Sequence, residues 1–144
     1  MTTIEYLSQV KELDSQIDID TRELARWREM STRVSRGSLE PNYNATRNTE
    51  APFIKCVDNI IVLEKKITSD IERLSSLKGE ILTLIHSIDD PDYRAVLELR
   101  YLDYMSWEEI AGKMKYGKRW VYSKHKSAIE AFEAAMKTVH DNSQ

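Results

Sequence analysis

The chain has 144 residues, a formal charge of −3, 41% hydrophobic and 31% charged residues, enough for one modest core or two small helical units. Four glycines and three prolines are too few for a many-turned β fold, and Glu, Lys, Leu, Ile and Ala dominate the periodic segments, as helices prefer. No apolar run reaches membrane-spanning length, the start Met1-Thr2-Thr3-Ile4-Glu5 lacks a signal peptide's pattern, and the lone Cys56 suits a reducing compartment, so a cytoplasmic protein is expected.

The first predicted element is a helix over residues 3–34, where Ile4, Leu7, Val10, Leu13, Ile17, Leu24, Trp27 and Met30 recur at helical spacing. Residues 35–52 break that pattern with Gly37, Pro41 and several Asn, Ser and Thr, and read as a loop or a partly disordered stretch. A long helix over 53–88 follows. Ile60, Ile67, Leu74, Ile81 and Ile88 repeat every seven residues, and Val57, Glu64, Ile71, Lys78 and Ile85 form an interleaved line. Together they make an a/d heptad seam in which Glu64 and Lys78 are polar positions that fix register at some cost in stability. The predicted oligomerisation seam is thus Val57, Ile60, Ile67, Ile71, Leu74, Ile81, Ile85 and Ile88, with Ile61, Leu63, Leu77, Leu82 and Leu84 widening the stripe. Two readings stand side by side: the first helix folds back on the second as a hairpin, or the long helix pairs two copies as a homodimer or higher homo-oligomer, and both hold in a four-helix assembly.

Asp89-Asp90-Pro91 restarts the chain, with an Asp cap before a Pro at the first helical position. The helix from Pro91 to about Asp103 offers Val96, Leu97, Leu99 and Leu102 to a core. Ser106-Trp107-Glu108-Glu109 is a capping box opening a helix to Met114 that buries Ile110, Ala111 and Met114. A last helix, from Lys118 to about Val139, buries Val121, Ala128, Ile129, Phe132 and Met136, and residues 140–144 form a tail. The expected fold is all-α: a helical hairpin or coiled coil over 1–88 and a helix-turn-helix over 89–139.

From Ala111 through Ile129 there are six Lys or Arg and no acid, so that segment carries +6 and the remainder of the chain −9. A local basic face on an acidic protein points to phosphate, and hence to double-stranded DNA. In a helix-turn-helix the second helix enters the major groove and its first residues reach base edges. The predicted DNA-binding residues are Lys113, Lys115, Lys118, Arg119, Trp120, Tyr122, Ser123, Lys124 and Lys126. Arg119 suits a bidentate grip on guanine, Ser123 a base or phosphate, Trp120 and Tyr122 a thymine methyl or a sugar, and Lys113, Lys115 and Lys126 phosphates. The plainer reading of the same residues is a solvated basic helix face. Glu98, Glu108 and Glu109 read first as a solvated face and caps, and second as a contact to RNA polymerase.

Nothing in the chain carries catalytic chemistry. His86, His125 and His140 are scattered without metal-ligand spacing, Cys56 has no nucleophile motif, and there is no glycine-rich phosphate loop. The expectation is a protein that is not an enzyme and has no metal or cofactor.

Tyr93-Arg94-Ala95-Val96-Leu97-Glu98-Leu99-Arg100-Tyr101-Leu102, then Ser106-Trp107-Glu108-Glu109-Ile110-Ala111 and Val121-Tyr122-Ser123-Lys124-His125-Lys126-Ser127-Ala128, resembles region 4 of sigma-70-type factors. It is still more similar to phage regulators with a sigma-like C-terminus, the ArpU and RinA type. The resemblance covers about Phe53 to Met136. It implies a sequence-specific DNA-binding regulator of a phage or prophage, acting in the host cytoplasm, with recognition positions Lys118, Arg119, Trp120, Ser123 and Lys124 and with Tyr122 and Lys126 beside them. The family usually has Gly where Tyr104 stands and often at Lys115. Left-handed backbone at those turns costs other residues about 1 kcal/mol. Gly117 replaces the Ser that commonly caps the recognition helix. Two other functions fit the same residues: a DNA-packaging subunit of the small-terminase kind, which forms rings, and a helical adaptor that no longer binds DNA.

Overall fold

The computed structural model describes residues 1–37 and 43–142, with side chains from 1–35 and 51–142. Among the described residues the chain is all-helical, with no strand. The elements are α1 (Thr3–Gly37), α2 (Tyr43–His86), α3 (Pro91–Leu97), a π-helical turn (Glu98–Leu102), α4 (Trp107–Met114) and α5 (Lys118–Asn142). No described helix is long and apolar enough to cross a membrane.

The loop expected over 35–52 is corrected at both ends. α1 continues to Gly37 and α2 begins at Tyr43, running through Pro52, while positions 38–42 lie outside the described residues. Once a helix is nucleated each further residue adds a hydrogen bond, so a polar stretch extends an existing helix at little cost. The expected tail is shorter too, because α5 reaches Asn142.

The chain divides into two compact units, Met1–Leu13 with Leu74–Gln144, and Asp14–Arg73. In the first unit, α1 starts on a capping box. Thr2 Oγ1 accepts from the Glu5 amide at 3.1 Å and Glu5 Oε2 accepts from the Thr2 amide at 3.0 Å. Leu7 and Val10 then pack into a core with Ile81, Leu84, Ile85, Ile88, Leu97, Tyr101, Ala128 and Phe132. At its edge the Tyr6 hydroxyl donates to Glu80 at 3.0 Å, and burial, then that carboxylate, push the phenol pKa up to about 12. α3 starts as its sequence dictates: Asp90 accepts from the amides of Asp92 (2.8 Å) and Tyr93 (3.4 Å), with Pro91 following it.

A second core lies in the same unit, made of Leu99, Ile110, Ala111 and Val121, with Met105, Trp107, Met114 and Trp120 around it. The stretch Leu97–Tyr101 feeds both cores: Leu97 and Tyr101 face the first and Leu99 faces the second.

In the second unit α1 and α2 bury Leu24 and Cys56 together with two carboxylates, Asp20 and Asp70. Lys66 lies between those acids. Its ammonium donates to Asp20 and, at 3.2 Å, to Asp70, while Gln16 donates to Asp20 at 3.0 Å. The hydrogen bond to Asp20 is the chief cause of a raised Lys66 pKa. Arg28 and Glu64 form a more exposed pair at 2.8 Å.

The packing of α2 corrects the expected seam. The line Ile60, Ile67, Leu74, Ile81, Ile88 is buried or half-buried, as expected. Its partner line is shifted by one residue in the middle of the helix, where Leu63 and Asp70 are half-buried or buried while Glu64 is solvated and Ile71 is 50% exposed. On either side the two lines share the interior, Cys56 with half-buried Val57, Leu77 with half-buried Lys78, and Leu84 with buried Ile85. The shift has a physical cause. A continuous Val57 line would bury the Glu64 carboxylate, whereas the line through Cys56 buries one acid that Lys66 already neutralises. Ile81 and Ile85 are fully buried within the chain, so neither is open to a second copy.

Candidate nucleic-acid interface

α4, the turn and α5 are built by local chemistry that the sequence announces. Ser106 caps α4, its hydroxyl oxygen accepting from the Glu109 amide at 3.2 Å. The return half of the capping box differs from expectation: the Glu109 carboxylate accepts from the Ser106 hydroxyl, at 3.2 Å, instead of from the backbone amide. α4 ends where Lys115 turns left-handed (φ 62°), which brings the Tyr116 amide onto the Ala111 carbonyl at 3.1 Å. Tyr104, before α4, is also left-handed (φ 58°). Both turns therefore take the geometry that the glycines of the resembled pattern supply.

Val121, Ala128 and Phe132 point into the two cores and fix the rotation of α5. The opposite face carries Arg119, Ser123 and Lys126 at spacings of four and three residues, all exposed. Further along that face stand Glu130 and Glu133, also exposed, so its sign changes after two turns. Lys113, at the end of α4, and Lys115, in the turn, are exposed.

The other candidates have partners within the chain. Lys118 Nζ lies 2.7 Å from Glu108 Oε1, a contact that raises the lysine pKa and lowers that of the glutamate, with the hydrogen bond as first cause of each. Trp120 is half-buried against the second core, and the Tyr116 ring stacks on it at 3.9 Å with an 18° interplanar angle. Lys124 is half-buried with its ammonium 5.6 Å from both the Tyr93 and Trp120 rings, within cation–π range. Tyr122 is 48% exposed and meets the edge of Trp107 at 5.3 Å. The structure thus brings Arg119, Ser123 and Lys126 onto one open face, ties Lys118 to α4, and folds Trp120 and Lys124 into an aromatic cluster.

A further cluster gathers Tyr101 and Trp107, aromatics that the sequence assigns to the core, with His125 and Arg100, to which it gives no binding role. The Tyr101 hydroxyl lies 2.6 Å from His125 Nε2, the Trp107 ring meets the imidazole edge-on at 4.7 Å, and the Arg100 guanidinium sits 4.2 Å over Trp107. Burial, then the Arg100 charge, holds the His125 pKa below its ordinary range, and burial raises that of Tyr101. Arg100 also donates to the Met105 carbonyl at 3.0 Å, bracing the left-handed turn. Tyr116 precedes α5, so its spacing from Trp120 is not a helical one and did not signal their stack. No spacing signals the Arg100 contact, which depends on the π-helical turn and the left-handed Tyr104.

No curated protein and no solved structure matches the chain. Residues 54–133, more than half of it, match the family described as protein of unknown function (DUF1492), and the chain belongs to that family.

Proposed function

We propose that the chain is a sequence-specific DNA-binding transcriptional regulator of the phage or prophage type, akin to the ArpU and RinA regulators it resembles, with α5 entering the major groove of a duplex. The observation that carries this reading is the open row Arg119, Ser123 and Lys126, flanked by exposed Lys113 and Lys115, on a chain that is otherwise acidic. Arg119 is the base reader, since a guanidinium matches the two major-groove acceptors of guanine. Ser123, one turn further, contacts an adjoining base or phosphate, and Lys113, Lys115 and Lys126 neutralise phosphates. Lys118 holds the start of α5 against α4 and reaches phosphate only by leaving Glu108. Trp120 and Lys124 stiffen the turn rather than read bases. Glu108 and Glu109 present acids on α4 for a contact to RNA polymerase.

Selection of binding sites from a random duplex pool tests this directly. The reading expects an enriched motif containing guanine whose preference Arg119→Ala relaxes, at a cost of about 1–3 kcal/mol. Absence of any duplex affinity at low salt would refute it in favour of the helical adaptor. Duplex binding by a ring of many copies would favour the packaging subunit instead.

A further inference from the structure

The second unit leaves one face of α2 open. Ile54, Ile61 and Ile71 are 58%, 44% and 50% exposed. With half-buried Val57 and exposed Glu64 and Thr68 they fall at alternating three- and four-residue spacings from 54 to 71. Six positions in that rhythm form a heptad stripe about 26 Å long, and it lies about 100° around the helix from the line of Cys56, Ile60, Leu63 and Ile67 that α1 covers. A shallow depression of about 470 Å³ runs along it, lined by Ile61, Glu64, Lys65, Thr68, Ser69 and Glu72. Helices in four-helix bundles contact two neighbours through adjacent faces, and α2 uses only one such face within this unit.

We propose that this open face of α2 pairs with the same face of a second copy of the chain, antiparallel, about a two-fold axis between Val62 and Leu63. A heptad stripe of this length fits a helix packed alongside it, and charge selects the partner and its direction. Parallel pairing in register would set Glu64 on Glu64 of the other copy. Antiparallel pairing sets Ile54 against Ile71, Val57 against Thr68 and Ile61 against Glu64, and brings Asp58 beside Lys65 of the second copy, twice by symmetry. Asp58 and Lys65 are exposed and no ion pair occupies either among the described residues. The Glu64 carboxylate keeps Arg28 of its own chain as counter-ion. The pairing stands whether or not α5 binds DNA.

Sedimentation equilibrium of the full chain tests it. The wild type is expected to be a dimer, and Ile61→Lys a monomer with unchanged helicity. Asp58→Lys and Lys65→Asp should each weaken the dimer about tenfold, and the double exchange should restore it. In a Cys56→Ala background, a mixture of Ile54→Cys and Ile71→Cys chains should form a disulfide between the two kinds. A monomeric wild type, a dimer that survives Ile61→Lys, a double exchange that fails to restore pairing, or self-crosslinking of the Ile54→Cys chain would each overturn it.

Discussion

Tyr104 and Lys115 hold left-handed backbone that glycine would adopt without strain, yet their replacement should have opposite outcomes. The Lys115 side chain is exposed and has nothing to lose. Lys115→Gly is expected to stabilise the fold by about 1 kcal/mol, read as a higher urea midpoint. The Tyr104 ring packs against the first core, so Tyr104→Gly forfeits buried area along with the strain and should not stabilise. At His125 the relevant variable is pH. Its pKa is depressed in the fold, so between that value and the ordinary 6.5 the unfolded chain binds more protons. Stability therefore rises with pH across that window and is lost as acid is added from 6.5 downward. Denaturation midpoints at pH 7.5 and 5.5 should show the loss, and His125→Gln should flatten part of the slope.

Most of the helices were legible because a capped start is a local event, whereas the start of α2, ten residues before the expected one, was not. Asp90-Pro91 and Ser106 with Glu109 announce α3 and α4; Thr2 with Glu5 caps α1 in the same way, a box not singled out in the sequence. The seam of α2 was half legible. Two heptad seams share the line of Ile60, Ile67 and Leu74, and period alone cannot choose between them. The choice rests on Lys66, four residues before Asp70 and opposite Asp20, which makes one buried carboxylate line tolerable. Lys66→Met should therefore lower the melting temperature by stranding two buried acids. Asp20→Asn in that background should recover part of the loss, whereas a purely steric effect of the thioether side chain would leave the double variant unimproved. In α5 the cationic positions were legible as a set, but their division was not. The sequence does not show that Glu108 holds Lys118 or that Tyr93 and Trp120 hold Lys124, because those contacts depend on how separate turns of the chain pack together.

For the molecule as a whole, a net charge of −3 opposes DNA at long range, so the proposed function rests on the local row on α4 and α5. On the DNA reading, affinity should fall steeply with salt. Lys113→Ala and Lys126→Ala should each make the slope of log K against log salt shallower by about 0.9, uniformly across sequences. Lys124→Ala should change that slope less and thermal stability more, since its ammonium lies over two rings. Titration of a labelled duplex at several salt concentrations separates the three variants.

Leu97 and Tyr101 look one way and Leu99 the other, on a stretch barely longer than one turn. That stretch is a shared wall between two interiors, and its geometry permits no slippage. One residue inserted after Leu97 would rotate everything downstream by about 100° and turn Leu99 and Tyr101 away from the cavities they fill. Such an insertion should abolish cooperative unfolding, while an equal insertion after Asp141, at the far end of α5, should leave it intact.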